Sequence, residues 1–256
     1  MPRQEIGSVF SEETLTLQER LKRVYYAPRS SFQAVLGREH WLDWLLPVFI
    51  VSLMGLISHA LSLPLMDDLD SPVLQGQLQQ MHEQQREHFL ASMEMLKTQG
   101  WIMIPLGTFI SLVVVAFILQ VMLRSLFEVD VSFRQALVIK GYATMVMGLE
   151  WIAGAILRNI QQSPIVQTGM GWFVPEKLSH TFAGRVLIDI HFFDIWQVLV
   201  IATGMSVMGD ISMRRALIAI LVLWGIYVGG GAAIETVTST MLQQGFPQGG
   251  QGAINP

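Results

Sequence analysis

The sequence predicts an all-α membrane protein: a bundle of five transmembrane helices, N-terminus inside and C-terminus outside, with a helical insertion on the outer face. Three observations carry this. Of 256 residues, 52% are hydrophobic and only 14% charged, with a mean hydropathy of +0.46, far from the composition of a water-soluble domain. The apolar residues gather in five runs, each near the roughly 20 residues that cross a hydrocarbon core about 30 Å thick. Lysine and arginine collect on one side of those runs. Continuous apolar runs of this length are not barrel strands, which would alternate.

The polar segment 1–42 lacks a short basic-then-apolar leader, so no cleaved signal peptide is expected and the first span serves as its own insertion signal. Within it, "SEETLTLQERLKRVYYA" (11–27) opens with a capping residue and an acidic turn and sets Leu17, Leu21, Val24 and Tyr25 on one helical face before Pro28. Such a helix either lies on the membrane with its basic side against anionic lipid or packs on its own loops. The membrane domain covers 43–234, with spans at about 43–65, 101–123, 136–157, 191–210 and 214–234. Its outer insertion, 67–99, reads as a long polar helix over 73–97 whose thin apolar stripe includes Leu78, Met81 and Phe89. That stripe is too narrow to form a core and needs a neighbour, either a partner protein or the outer loop 158–190, where Trp172 and Phe173 could cover it. Between the last two spans, "GDISMRR" makes a tight hairpin with Gly209 as the helix stop. The Gly/Gln-rich tail, 235–256, is expected to be flexible.

Charge placement sets the orientation. Arg3, Arg20, Lys22, Arg23, Arg29, Arg38, Arg124, Arg134, Lys140, Arg214 and Arg215 fall on one side; Arg86, Lys97, Arg158, Lys177 and Arg185 fall on the other. The richer side is cytoplasmic, which places Lys140 near that surface, where it can snorkel. A net charge of -4 argues against nucleic-acid binding. With no cysteine, disulfides, thiolate metal sites and a cysteine nucleophile are excluded.

Little else points to catalysis. His82 and His88 in "HEQQREH" are six apart and do not share the helix face that zinc ligation needs. No Gly-x-Ser-x-Gly elbow is present, and Ser206 and Ser212 have no evident base. No catalytic residue, metal site or cofactor is assigned. Small residues suit helix packing: Gly225 with Gly229, and more loosely Gly107 with Ser111. One polar set stands out. Threading the spans alternately puts His59, Glu150, His191, Asp194 and Glu235 in a single layer of the outer half. Acids and imidazoles at that depth either satisfy one another between helices or supply ligands for a divalent metal or a proton relay.

Three stretches carry a family resemblance. "YYAPRSSFQAVLGREHWLDWLLPV" leads through a proline and a phenylalanine to a tryptophan-led span; "FEVDVSFRQALVIKGYATMVMGLEWI" enters a span through a Gly-Tyr pair; "FDIWQVLVIATGMSVMGDISMRRALIAILVLW" is a span, a glycine turn and a basic re-entry. In order and spacing they resemble the Yip (Ypt-interacting-protein) family, in its bacterial branch. The resemblance implies five spans, a cytoplasmic N-terminus and an exported C-terminus, in the bacterial inner membrane. Eukaryotic members act as trafficking adaptors for small prenylated GTPases, and some bacterial members accompany ABC-type exporters. The family supplies no catalytic residues. This chain lacks the long acidic N-terminal tail of the eukaryotic members, and it has no Walker sequence. The expected function is a non-catalytic accessory or scaffold subunit of a membrane complex, assisting an ABC-type exporter, with lipids and a membrane assembly as partners. The alternative is a small permease or channel using the outer acidic and histidine layer.

Overall fold

The computed structural model describes residues 15–38, 40–68, 70–79, 81, 83–164, 166, 169–175, 178 and 181–245. Nine α-helices are described: α1 Leu17–Arg23, α2 Pro28–Val35, α3 Leu42–Asp67, α4 Pro72–Gln79, α5 Glu83–Phe127, α6 Phe133–Gln161, α7 Phe182–Ile188, α8 Phe192–Met208 and α9 Met213–Gly245. No strand occurs among the described residues; the sole extended pairing there is an isolated bridge between Gly169 and His191. Four helices, α3, α5, α6 and α9, are long and apolar enough to cross a membrane, and α8 is a shorter apolar helix. The molecule is thus an all-α membrane bundle.

The core is built around α6. Every residue from 136 to 146 is buried, and 67% of the apolar window of α6 is covered by the chain, against 22% for α5 and 17% for α9. Ser132 starts the helix with a capping box, its hydroxyl accepting from Gln135 N while the Gln135 side chain accepts from Ser132 N. Glycines let the neighbours approach. A Cβ at Gly55 of α3 would lie 2.3 Å from the Trp151 ring and 2.7 Å from Ile104, and one at Gly204 of α8 would lie 2.8 Å from Phe32.

This central position corrects the reading of Lys140. It is buried, 4% exposed, and does not snorkel. Snorkelling needs a lipid-facing flank, whereas α1 and α2 roof this end of α6: Leu21, Val24, Phe32 and Val35 join Ile139, Tyr142 and Met205 in one core. The apolar stripe of α1 is therefore turned into the bundle. Thr16 caps α1 reciprocally with Glu19, and the earlier start expected at residue 11 lies outside the described residues.

The insertion also differs in form. In place of one free-standing helix, α4 and the outer part of α5 make a hairpin, and α5 runs on without a break as the second span. Its 45 residues measure about 68 Å, twice the hydrocarbon thickness. At the base of the hairpin Leu74, Leu78, Met66 and Met93 are buried together, with Met81, Phe89 and Leu90 packed on them. The neighbour that the Leu78, Met81 and Phe89 stripe needs is thus supplied by the hairpin and the end of α3. Trp172 and Phe173 do not serve as its cover and remain largely exposed.

Gly209 ends α8, and Asp210 takes the left-handed conformation of the turn, with φ 47°. The last helix continues to Gly245, past the expected end at 234. The tail expected to be flexible from 235 onward is helical over its first part, and 246–256 lie outside the described residues.

A side chain added at Gly55 must displace the Trp151 ring. Gly55→Leu should lower stability by at least about 1–3 kcal/mol, whereas Gly225→Leu, with nothing within 4 Å of its Cβ position, should leave the thermal midpoint in detergent unchanged. Equal midpoints for both variants would refute the α3–α6 contact.

Candidate functional site

Three of the five expected layer residues converge. Glu150, one turn past the buried stretch of α6, directs Oε1 to within 3.1 Å of Nδ1 of His191. His191 caps α8, and Asp194 stands three residues on, its Oδ2 accepting from His191 N at 3.2 Å and lying 3.6 Å from Nδ1. One ligand atom from each residue falls within 4.8 Å of the others. All three are partly exposed.

The short fourth helix explains how charges come to sit so deep. Seventeen residues measure about 25 Å, short of a core about 30 Å thick. The first turn of α8 therefore meets α6 at Glu150, about 16 Å of helix short of its end at Gln161. The loop between α6 and α7 joins the start of α8 through the Gly169–His191 bridge, with Met170 N donating to Ile190 O at 3.0 Å. Glycine is required at 169, because a Cβ would lie 2.2 Å from His191 Cδ2 and 2.7 Å from Ile190 O.

The other two layer residues are not in the cluster. His59 is at the right height, since its neighbour Ser58 donates to Trp151 O at 2.9 Å, but one residue on a helix is a rotation of about 100°. His59 consequently faces α5, where its buried ring stands edge-on to Trp101 at 5.0 Å and over Gly100. Glu235 belongs to α9, and its side chain lies outside the described residues. Among the described residues, Gly225 and Gly229 have no neighbour outside their own helix turn within 4 Å of their Cβ positions, so no described element packs on that pair. His82 is likewise outside the described residues.

Sequence reasoning missed two polar stitches. On the outer side Arg158 donates to Ser62 Oγ at 2.9 Å and to Ser58 Oγ at 3.0 Å, tying α6 to α3. At the other end Arg20 Nη1 meets Asp43 Oδ1 at 2.9 Å, and Tyr142 donates to the same oxygen at 3.4 Å, joining α1, α3 and α6. The signals available were Ser58 and Ser62 four apart in an apolar run, and Asp43 at the mouth of the first span. Between the stitches Gln197 donates to Ala143 O at 3.3 Å, and buried Lys140 lies in the field of the Asp194 carboxylate.

Chemically, two carboxylates facing one imidazole nitrogen are satisfied by a proton on the ring or by a divalent cation. The donor set suits a first-row metal, and separations of 3.1 and 3.6 Å lie near the edge of about 3.4 Å expected for a tetrahedron with bonds of about 2.1 Å. The three residues together can hold charge.

Removing the Glu150 charge while keeping its shape should be tolerated, whereas a cation in the half-buried place beside His191 should not. Glu150→Gln is expected to purify with wild-type yield and midpoint, and Glu150→Lys to lose most folded protein on size-exclusion chromatography. Equal behaviour of the two would separate Glu150 from the cluster.

Comparison with known proteins identifies one family: the Yip1 domain matches residues 22–234, from the end of α1 into α9. No curated protein and no solved structure matches the chain.

Proposed function

The chain belongs to the Yip1 domain family, and from that membership we propose that it is a non-catalytic accessory or scaffold subunit of a membrane complex. We assign it to the bacterial cytoplasmic membrane with the N-terminus inside, as the arginine and lysine distribution supports. An ABC-type exporter is the partner class the resemblance offers.

One observation carries this reading. The small residues suited to close helix approach stand bare on the two least covered spans: Gly107 on α5 and Gly225, Gly229, Gly230 and Gly231 on α9 have nothing within 4 Å of their Cβ positions. In lipid, where apolar surface alone does not drive helices together, such faces are where backbones meet and pack. Meanwhile Tyr142 and Arg158 of α6 are engaged with α3, and Glu150 with His191 at the start of α8. The interior is stitched, and the lateral faces are left for other helices.

The convergence of Glu150, His191 and Asp194 favours a second reading, a small permease using this cluster for a proton or cation. The two readings part on the Glu150→Gln variant: a folded protein that has lost a measurable ion flux would favour the permease.

Leucine at 225 or 229 should block a partner helix without disturbing the chain itself. Copurification from native membranes tests this. Gly225→Leu and Gly229→Leu are expected to lose a partner that the wild type retains, by at least about tenfold, corresponding to about 1.4 kcal/mol, at an unchanged thermal midpoint. Full retention by both variants would contradict lateral docking on α9.

A further inference from the structure

We propose that the chain has a built site for one anionic phospholipid at the N-terminal end of α3, holding the phosphate in a cationic recess and an acyl chain in the groove leading from it. The inference does not depend on the scaffold reading.

The recess, about 560 Å³, is lined by Leu17, Arg20, Arg38, His40, Leu42 and Asp43. Arg20 is only 7% exposed. Its Nη1 is 2.9 Å from Asp43 Oδ1, yet neither Nη1 nor Nε is hydrogen-bonded among the described residues: the ion pair is close but poorly aimed. A buried guanidinium with idle donors is costly and wants an acceptor. Asp43 is shared, because the same Oδ1 also accepts from Tyr142 at 3.4 Å. Arg38 is exposed on the same recess and has no ion pair among the described residues. Among the described residues two guanidiniums thus face one carboxylate with an imidazole beside them, and that surplus of arginine charge suits a phosphate.

The occupant is identified by what adjoins the recess. Leu42 is shared with a groove of about 420 Å³ between α3 and α5, whose lining includes Leu45, Phe49, Leu53, Pro105 and Phe109. The groove runs from Trp41 to Leu56, about 22 Å of helix, more than the depth of one leaflet at about 15 Å. Trp41, 55% exposed and stacked on His40 at 5.9 Å, marks the water interface, where tryptophan is favoured. A cationic recess opening at the interface into an apolar channel matches a phospholipid from headgroup to tail. A zwitterionic lipid would bring its own ammonium against Arg38 and His40, so an anionic headgroup is preferred.

The test uses full-length protein in phosphatidylcholine nanodiscs with and without phosphatidylglycerol, read by thermal midpoint and by lipid retained in native mass spectrometry. The wild type should gain stability from phosphatidylglycerol and retain one molecule of it in preference to phosphatidylcholine. Arg38→Gln should cut that preference about fivefold, the equivalent of about 1 kcal/mol per arginine near the surface. Since Arg38 is exposed, the variant is expected to fold; His40→Gln tests the same recess independently. Soluble glycerol phosphate should not reproduce the effect, because it cannot fill the groove. Equal retention of the two lipids by wild type, an unchanged preference in both variants, or full replacement by glycerol phosphate would overturn the proposal.

Discussion

The order of this bundle depends on one helix, α6, whose first half is buried without interruption from 136 to 146. Because 136–146 of α6 are buried, polar groups along and beyond that stretch are engaged by neighbouring elements of the protein, where unpaired they would be costly. The partners come from different elements: Arg20 and Asp43 through Tyr142 at one end, Ser58 and Ser62 through Arg158 at the other, and α8 through Gln197, Asp194 and His191. Each stitch fixes the height of a neighbour against α6. The order of the bundle follows from where those groups lie along one helix.

The same constraint separates interior from flank. Polar contacts and tight glycine approaches concentrate on α6 and its immediate neighbours, while α5 and α9 present large apolar side chains such as Phe117, Ile226 and Tyr227 to the surroundings. In water that division would be an aggregation hazard; in a bilayer it is the ordinary lipid-facing state. What lifts α9 above a passive lipid face is its run of uncovered glycines. The Glu150, His191 and Asp194 cluster is a place where charge is held, and its strapping by Gly169 and Ile190 couples the outer loop to the start of α8. That coupling is structural in either functional reading.

Most of the helical architecture was legible because span length is a one-dimensional property. All five apolar runs correspond to helices, and Gly209 ends the fourth. The layer of outer polar residues was legible as a height, since residue number along a span measures depth. Proximity was not, because it depends on rotation: Ser58 and His59 are adjacent, yet one faces α6 and the other α5. Lys140 was misread for a related reason. Nothing local in "VIKGY" tells a lysine at a lipid surface from one roofed by a distant N-terminal helix. The stripe of α1 and that of Leu78, Met81 and Phe89 both need cover, and a pattern that needs cover does not say whether the chain or another molecule provides it.

The central claim is that this family member works by holding another membrane protein against its α5 and α9 faces. Native mass spectrometry of the protein ejected directly from its membranes tests that claim most directly. The account predicts the chain at a fixed stoichiometry with one other membrane protein, dissociating before any lipid-free monomer appears. A chain that emerges only as itself with bound lipid, under conditions that keep known membrane complexes intact, would contradict it.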